Sequence, residues 1–495
     1  MTVLRYSALA VAAFLLASCE VGPDFDPPKI PGDAGYTPEK LDATKATDVA
    51  AGAAQSFVDG KDIPGQWWSV FHSEPLNKLI DESLKANPTL AAAQATLREA
   101  QENVAAEKGV FFPEVNGSFS STREKISGAA FGNPNQSSLF TLSTGSVSVA
   151  YGFDFFGGER RQLESTEAQV DYQRYELEAA YLTISSNVVA AAIQEASLRA
   201  QIAATQEIIT DEQSQLDLLQ KQFELGGAAR AAVLAQQATL SAAKATLPNL
   251  QKQLAQQRNQ LTALAGRYPS QEIGETFDLA ALQLPQDLPL SLPSKLVEQR
   301  PDIQAAQAQV HSASALIGVA IGNMLPQFTL NAGYGNTVLD LGSLLTGPGI
   351  WSLGAGMTAP LFRGGQLLHQ KRAAEAAFDA SAATYRNTLI TAFQNVADTL
   401  RALQSDADAL AAQVAAETSS ADNLKITRDQ YQLGAINYTT LLNAETTYQQ
   451  AHVNRVIAQA NRYADTAALF QALGGGWWNR SDVVSADAES APKQP

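Results

Sequence analysis

Two stretches of this chain contain nothing that would stop a helix. Residues 159–225 and 366–433 hold no proline and no glycine. At about 1.5 Å per residue, a continuous helix of that length reaches roughly 100 Å. Each stretch ends on a Leu-Gly pair, Leu225-Gly226 and Leu433-Gly434. That is where a helix C-cap takes a left-handed residue. Helical sequence then resumes over 228–265 and 436–473. The pattern predicts two helical hairpins with tips near 226–230 and 434–438.

The periodicity says how these helices pack. Leu198, Ile202, Thr205, Ile209, Glu212, Leu216, Leu219 and Phe223 recur at alternating spacings of four and three. Val456, Ala460, Tyr463, Ala467 and Phe470 do the same on the second returning arm. Such a seam calls for coiled-coil packing. Alanine at many seam and flanking positions lets helices approach on more than one side. An antiparallel coiled coil inside a soluble protein satisfies the same periodicity, so the helices alone do not fix the class.

The formal net charge is −16, and an acidic chain without a basic run does not suit nucleic acid. The single cysteine excludes an internal disulfide. That residue, Cys19, ends a segment in which Arg5 precedes an apolar core over 8–16, too short to cross a bilayer. Leu16-Ala17-Ser18-Cys19 resembles a bacterial lipobox. It predicts a lipoprotein signal peptide over 1–18 and a lipidated Cys19. An ordinary signal peptide with an incidental cysteine is the plainer alternative. Glu20 stands where an aspartate would retain a lipoprotein at the inner membrane, which favours delivery to the outer membrane. No other stretch has 18 uninterrupted apolar residues, so no transmembrane helix is predicted. Any spanning structure must then be a closed β-barrel.

Residues 20–66 read as an extended leader rich in Pro, Gly and Asp, and Trp67, Trp68 and Phe71 as an aromatic anchor. Helix is expected over about 76–110, with Asn87-Pro88 marking an interior start. The rhythm then changes to a period of two. Residues 114–122 alternate loosely, and Val147, Val149, Tyr151, Phe153 and Phe155 fall on one face. A turn-rich loop at about 124–138 lies between them. Paired strands of about ten residues with one apolar face are the barrel signal, weak for any single strand. A surface hairpin would look alike, and the sequence does not decide which face meets lipid. Tyr151, Phe155 and Phe156 gather near one end, as membrane-interface aromatics would.

Everything then happens again. Pro88 and Phe112-Pro113 are answered by Pro301 and Leu325-Pro326, an offset of 213 residues in both cases (301 − 88 and 326 − 113). Strands expected at 114–123 and 146–156 are answered by strands at 327–336 and 351–361. Tyr334, Trp351 and Phe362 are the further interface aromatics. The chain is a tandem duplication. Its parts are the signal peptide 1–18, a leader segment 19–75, a first repeat 76–266, a proline-rich linker 267–294, a second repeat 295–474 and a tail 475–495. The fold class is mainly α with a membrane β part. Two strands per half make four, and single-chain outer-membrane barrels begin at about eight. Strands in lipid must therefore be shared between chains, and a closed cyclic oligomer also gives the hairpins lateral neighbours.

The chain resembles an outer-membrane factor, the exit duct of tripartite efflux systems, of the lipoprotein (NodT-type) branch. The resemblance is carried by Leu16-Ala-Ser-Cys19, Val21-Gly-Pro-Asp24, Trp67-Trp68, Arg300-Pro-Asp-Ile303, Pro360-Leu-Phe-Arg-Gly-Gly365, Tyr431-Gln-Leu-Gly434 and Leu473-Gly-Gly-Gly-Trp477, in family order. It implies a homotrimer with a 12-strand β-barrel, a 12-helix α-barrel and an equatorial belt that includes part of 19–75. It implies as partners a periplasmic adaptor, an inner-membrane RND or related pump, and outer-membrane lipid. No cofactor is expected, and no nucleic acid. The transported cargo would be drugs or other small toxic compounds. An outer-membrane channel for type I protein secretion has the same fold and stays as the alternative.

The resemblance also implies a gate at the periplasmic tips, around Leu225, Gly226, Tyr431, Leu433 and Gly434. Relatives often carry aspartates just past the Tyr-x-x-Gly turn. Those positions fall here on Thr440 and Asn443, with Ala232 and Ala235 on the first tip and Glu445 and Asp429 nearby. Thr440 and Asn443 either hold the closed tips by neutral hydrogen bonds or simply cap and pack them. An enzyme is disfavoured. His72, His311, His369 and His452 are scattered, and no metal motif, nucleophile elbow or P-loop occurs.

Overall fold

The computed structural model describes residues 21–27, 35–39, 41–132 and 135–481. The expected signal peptide, Cys19 and most of the tail 475–495 lie outside the described residues. The helices are α1 (Glu74–Ala86), α2 (Pro88–Lys108), α3 (Gly158–Glu224), α4 (Arg230–Leu264), α5 (Pro293–Gln299), α6 (Pro301–Gly322), α7 (Gln366–Gln432) and α8 (Tyr438–Ala472). The strands are β1 (Ser56–Asp59), β2 (Glu114–Ser127), β3 (Ser137–Phe153), β4 (Asp287–Leu290), β5 (Gln327–Val338) and β6 (Gly349–Thr358). The outgoing helices α3 and α7 each have 67 residues and the returning helices α4 and α8 each have 35. The two hairpins therefore match in length residue for residue.

Several boundaries differ from the sequence expectation, each for a physical reason. The helix expected over 76–110 is two helices, because Pro88 drives Asn87 out of the helical region to ψ 122°. Asn87 then accepts from Thr89 N at 2.9 Å and opens the second helix. The first strand pair is longer than 114–123 and 146–156, and the loop expected at about 124–138 shrinks to a short 3-10 turn over Gly128–Phe131. Polar Arg123, Glu124 and Lys125 stay in the ladder opposite Thr141, Phe140 and Leu139. A ladder needs only backbone partners. Strand β6 starts at Gly349 and stops at Thr358, short of Pro360, which cannot donate to a ladder. Helix α4 passes through Pro248, which lacks the N–H for one i→i−4 bond.

The chain divides into two compact units. Unit 1 takes the described residues within Met1–Pro28, Thr96–Arg174 and Ala305–Arg386. It holds an antiparallel sheet in the order β2-β3-β5-β6. The end of the leader is fastened to this unit. Val21 N donates to Phe156 O at 3.0 Å, and Arg161 Nε donates to Val21 O at 3.0 Å. The Arg161 guanidinium pairs with Asp24 at 2.7 Å, and Phe25 stacks on His311 with centroids 4.4 Å apart. A Cβ on Gly22 would lie 2.5 Å from Gly318 Cα, so only glycine lets the leader lie this close.

Unit 2 takes the described residues within Lys29–Ala95, Tyr175–Gln304 and Asn387–Pro495. Its core gathers Trp67, Phe71 and Leu76 with Val188 of α3, Leu400 of α7 and Phe470 of α8. Trp67 stacks on Phe470 at 5.6 Å. Ile273, Phe277, Leu282 and Leu288 join the same core, so the segment expected as a linker over 267–294 is packed. Its strand β4 pairs in parallel with β1 of the leader. Arg462 of α8 is wholly buried. It donates to Ala51 O, Ala53 O, Thr44 Oγ1 and Gln55 Oε1 at 2.7–3.2 Å. One buried cation thus pins an irregular segment that has few apolar side chains of its own. Among the described residues no helix is long and apolar enough to cross a membrane.

Candidate functional site

The sheet of unit 1 has two unlike faces. Residues directly opposite in a ladder share a face. Val115 lies opposite Val149, Val149 opposite Ala332, and Ala332 opposite Leu353. Val147, Tyr334 and Trp351 align in the same way, as do Phe153, Phe328 and Met357. That face is apolar across all four strands. The other face carries Asn116, Ser118 and Ser120 of β2 opposite Ser148, Ser146 and Thr144 of β3, and Asn331 opposite Gly354. Ser118 and Ser146 share a hydrogen bond of 2.8 Å across it. The register thus keeps Val149 on the apolar face that the alternation predicts.

The apolar band has limits. On β3 it runs from Phe153 up to Gly145, which faces Phe119. Those eight steps (153 − 145) span about 27 Å at ~3.4 Å each. Beyond them the same face turns to Ser121, Arg123 and Lys125. The expected interface aromatics fall at two levels. Tyr151, Phe153, Phe155 and Phe328 form a string of ring contacts with centroids 4.8, 5.6 and 4.9 Å apart. Phe156 follows, and Phe362 lies exposed past the end of β6, whose Thr358 pairs with Gln327. Tyr334 and Trp351 face each other further along the ladder. They stand about 20 Å from the Phe328 level at ~3.4 Å per residue. Trp351 is 77% exposed.

The tips of the two hairpins close alike. Gly226 has φ +79° and Gly434 φ +74°. Gly227 N donates to Gln222 O at 2.7 Å, and Ala435 N donates to Gln430 O at 2.9 Å. These bonds satisfy carbonyls that a helix end would leave open. Leu225 and Leu433, 88% and 84% exposed, project beside them. Tyr431 stands edge to face with Tyr438 at 5.7 Å. Thr440 is tied to the start of α8, since its N–H and its hydroxyl both donate to Asn437 Oδ1 at 3.0 Å. Thr440 and Asn443 are both exposed.

Glu445, expected as a carboxylate near the gate, points inward instead and is 1% exposed. It belongs to a buried polar cluster that sequence reasoning missed. Glu212 of the α3 seam is wholly buried. It accepts from Gln236 Nε2 at 2.5 Å and from Gln449 Nε2 at 2.5 Å. The Tyr438 hydroxyl donates to Gln236 Oε1. Glu445 Oε1 accepts from Gln215 Nε2 and lies 3.5 Å from Arg428 Nε. Burial raises the Glu445 carboxyl above the ordinary carboxylate range, against the pull of Gln215 and Arg428. Burial likewise raises the Tyr438 phenol. The one sequence signal for this cluster was a carboxylate, Glu212, in an otherwise largely apolar seam. Its partners come from α4 and α8, which no local pattern joins to it. Phe223, the last seam residue, is exposed at the tip.

His311 meets Glu164 at 2.8 Å and His452 meets Glu417 at 2.6 Å, in separate places. Among the described residues no group of three His, Cys, Asp or Glu is placed to hold a metal ion.

Comparisons with known proteins agree with this geometry. The family described as Outer membrane efflux protein matches residues 79–267 and 292–475, one match on each repeat. The chain is 28% identical over 420 residues to the pyoverdine export outer membrane protein OpmQ of Pseudomonas putida, covering 84% of this chain and 89% of that protein. It is 27% identical over 489 residues to the probable efflux pump outer membrane protein TtgC of Pseudomonas putida, covering 97% of each. It is 26% identical over 467 residues to the cation efflux system protein CusC of Escherichia coli K12, covering 94% and 98%. The fold matches the solved outer-membrane channel OprN with TM-score 0.82 at 24% identity, covering 93% of this chain and all of that one. It matches the Campylobacter jejuni CmeC outer membrane channel with TM-score 0.83 at 21% identity, covering 96% and 99%. These solved outer-membrane channels thus share the fold of this chain. The chain belongs to the outer membrane efflux protein family.

Proposed function

We propose that this protein is the outer-membrane exit duct of a tripartite, RND-type efflux pump and works as a homotrimer. The observation that carries this reading is the open sheet. Among the described residues, strands β2 and β6 each have one unpaired edge, and the face between them is apolar over about 27 Å, close to the ~25 Å lipid band of outer-membrane barrels. Lipid tolerates no open edge. Three copies pairing β2 to β6 in turn would close twelve strands, with the Ser- and Asn-bearing face toward the lumen. Two aromatic levels at the ends of the band fit the two membrane interfaces. Cys19 would carry the lipid, two residues before the fastened Val21.

The partners follow from the family: a periplasmic adaptor and an inner-membrane pump that would meet the duct from the periplasmic side. Relatives of nearly equal identity carry names that refer to pyoverdine, an efflux pump and cations. Cargo choice therefore sits best in the pump, and the duct passes drugs or other small toxic compounds. The tips around Leu225, Gly226, Tyr431, Leu433 and Gly434 would form the gate. Thr440 and Asn443 would line it without a ring of charge.

Single-channel recording tests this reading. The purified protein should insert as trimers with one pore each, and multivalent cations should block weakly. Thr440→Asp combined with Asn443→Asp should install strong block. A folded monomer that conducts alone would refute the shared barrel.

A further inference from the structure

We propose that the cavity under the hairpin tips is a binding site for a small organic cation: a single ammonium group on an apolar or aromatic body. The cavity measures about 650 Å³ and is bounded by α3, α7 and α8. Its walls include Leu218, Leu219, Leu441, Tyr431, Tyr438 and Glu445.

Glu445 Oε2 is buried and has no hydrogen-bond partner, while Oε1 already accepts from Gln215 and faces Arg428. Buried carboxylate oxygens are almost always satisfied, so an orphan on a cavity-lining residue calls for a donor. The donor this site would take is charged. Asp211 adds a second carboxylate to the lining, and Arg428 is the one cation there. Arg428 is half-exposed and held at 3.5 Å, a loose contact for an ion pair. Two tyrosine rings meeting edge to face offer π surface to a cation and its apolar body. Glu445 also borders a neighbouring cavity of about 30 Å³, room for one water. A single water or a proton is therefore the competing occupant of Oε2, and the two are separable. Water or a proton asks nothing of the larger cavity, whereas an ammonium requires the carboxylate charge and gains from the loss of Arg428.

The site can be probed without any pump partner. The full chain in detergent micelles would be titrated with dansylcadaverine, a fluorescent primary amine on an aromatic body, and followed by anisotropy. The neutral N-acetyl analogue is the control for micelle partitioning. Saturable binding should weaken at least tenfold for the acetylated analogue and for Glu445→Gln. It should tighten severalfold for Arg428→Ala, where the competing guanidinium is gone. The analogue and Arg428→Ala leave position 445 intact, so they decide the matter even if Glu445→Gln folds poorly. Absence of saturable binding to the parent would assign Oε2 to water or a proton and overturn the proposal. Equal affinity for the acetylated analogue, or weaker binding in Arg428→Ala, would overturn it as well.

Discussion

The two returning helices, α4 and α8, have the same length and follow the same kind of tip, yet they are buried very differently. Helix α8 buries residues from Tyr438 to Ala472, including Arg462, Tyr463 and Phe470. Helix α4 buries only Gln236, Leu240, Leu250, Leu261 and Thr262. Duplication preserved the element and not its surroundings. Helix α8 is capped by Asn437, holds the leader through Arg462 and binds Leu282 O through the Tyr463 hydroxyl at 2.7 Å. Helix α4 starts from Ala229 with no side-chain cap and carries Pro248. A helix that long is seldom stable in water without a packed apolar face. The exposed side of α4 is thus the side that, in the proposed trimer, has neighbours to meet.

The largest expected difference between the arms lies in one aligned pair. Gly434 aligns with Gly226, so Arg462 aligns with Leu254 (462 − 208). Arg462→Met leaves several buried oxygens without their donor and should destabilise the chain by about 1–3 kcal/mol for each one left unpaired. Half-buried Leu254→Ala should cost less than about 2 kcal/mol. Denaturant unfolding in detergent would measure both. Equal losses would mean that α4 is as tightly held as α8.

A smaller effect tests what the arms share. At Gly226 and Gly434 an added Cβ meets nothing within 4 Å. The cost of alanine there is the left-handed backbone alone, about 1 kcal/mol at each tip. Gly226→Ala and Gly434→Ala should therefore lower stability by the same amount. A larger loss at 434 would show that the tyrosine-bearing tip depends on its turn in a way the first does not.

A further difference is a slope with pH from a carboxylate pair that only the second arm carries. Burial, then the Asp465 carboxyl beside it, pushes Asp406 up to about 7. Its folded value thus exceeds the unfolded one, near ~3.9. The folded chain binds this proton more tightly, so the contribution is complete below about pH 4 and is lost as pH rises through about 7. The unfolding midpoint should fall between about pH 4 and 7, and Asp406→Asn should flatten the slope. The aligned first-arm residues, Leu198 and Gln257, do not titrate. A slope that survives Asp406→Asn would place its origin elsewhere.

The sequence disclosed what local rules govern. Absence of breakers gave the long helices, and the glycines after Leu225 and Leu433 gave the turns. Alternation along Val147–Phe153 gave the strand and its apolar residues. All five seam residues from Val456 to Phe470 are buried. What stayed hidden depends on partners remote in the chain. The inward turn of Glu445 is set by Gln215, 230 residues away. The role of Arg462 is set by carbonyls about 410 residues earlier, at Ala51 and Ala53. The packing of 267–294 could not be inferred from its prolines. The length of β2 was masked because the ladder over Arg123–Lys125 is held by backbone and not by an apolar pattern.

Everything proposed about the duct depends on whether β2 of one copy pairs with β6 of the next. Cys19 is the one native cysteine and, lipidated as proposed, offers no free thiol, so Ser118→Cys on β2 can be combined with single cysteines scanned along residues 350–356 of β6. After oxidation in outer-membrane fractions, non-reducing gels report which copies were adjacent. The shared barrel predicts covalent trimers that peak at one register and alternate with face along the scan. Monomers at every position, or a ladder that stops at dimers, would contradict it.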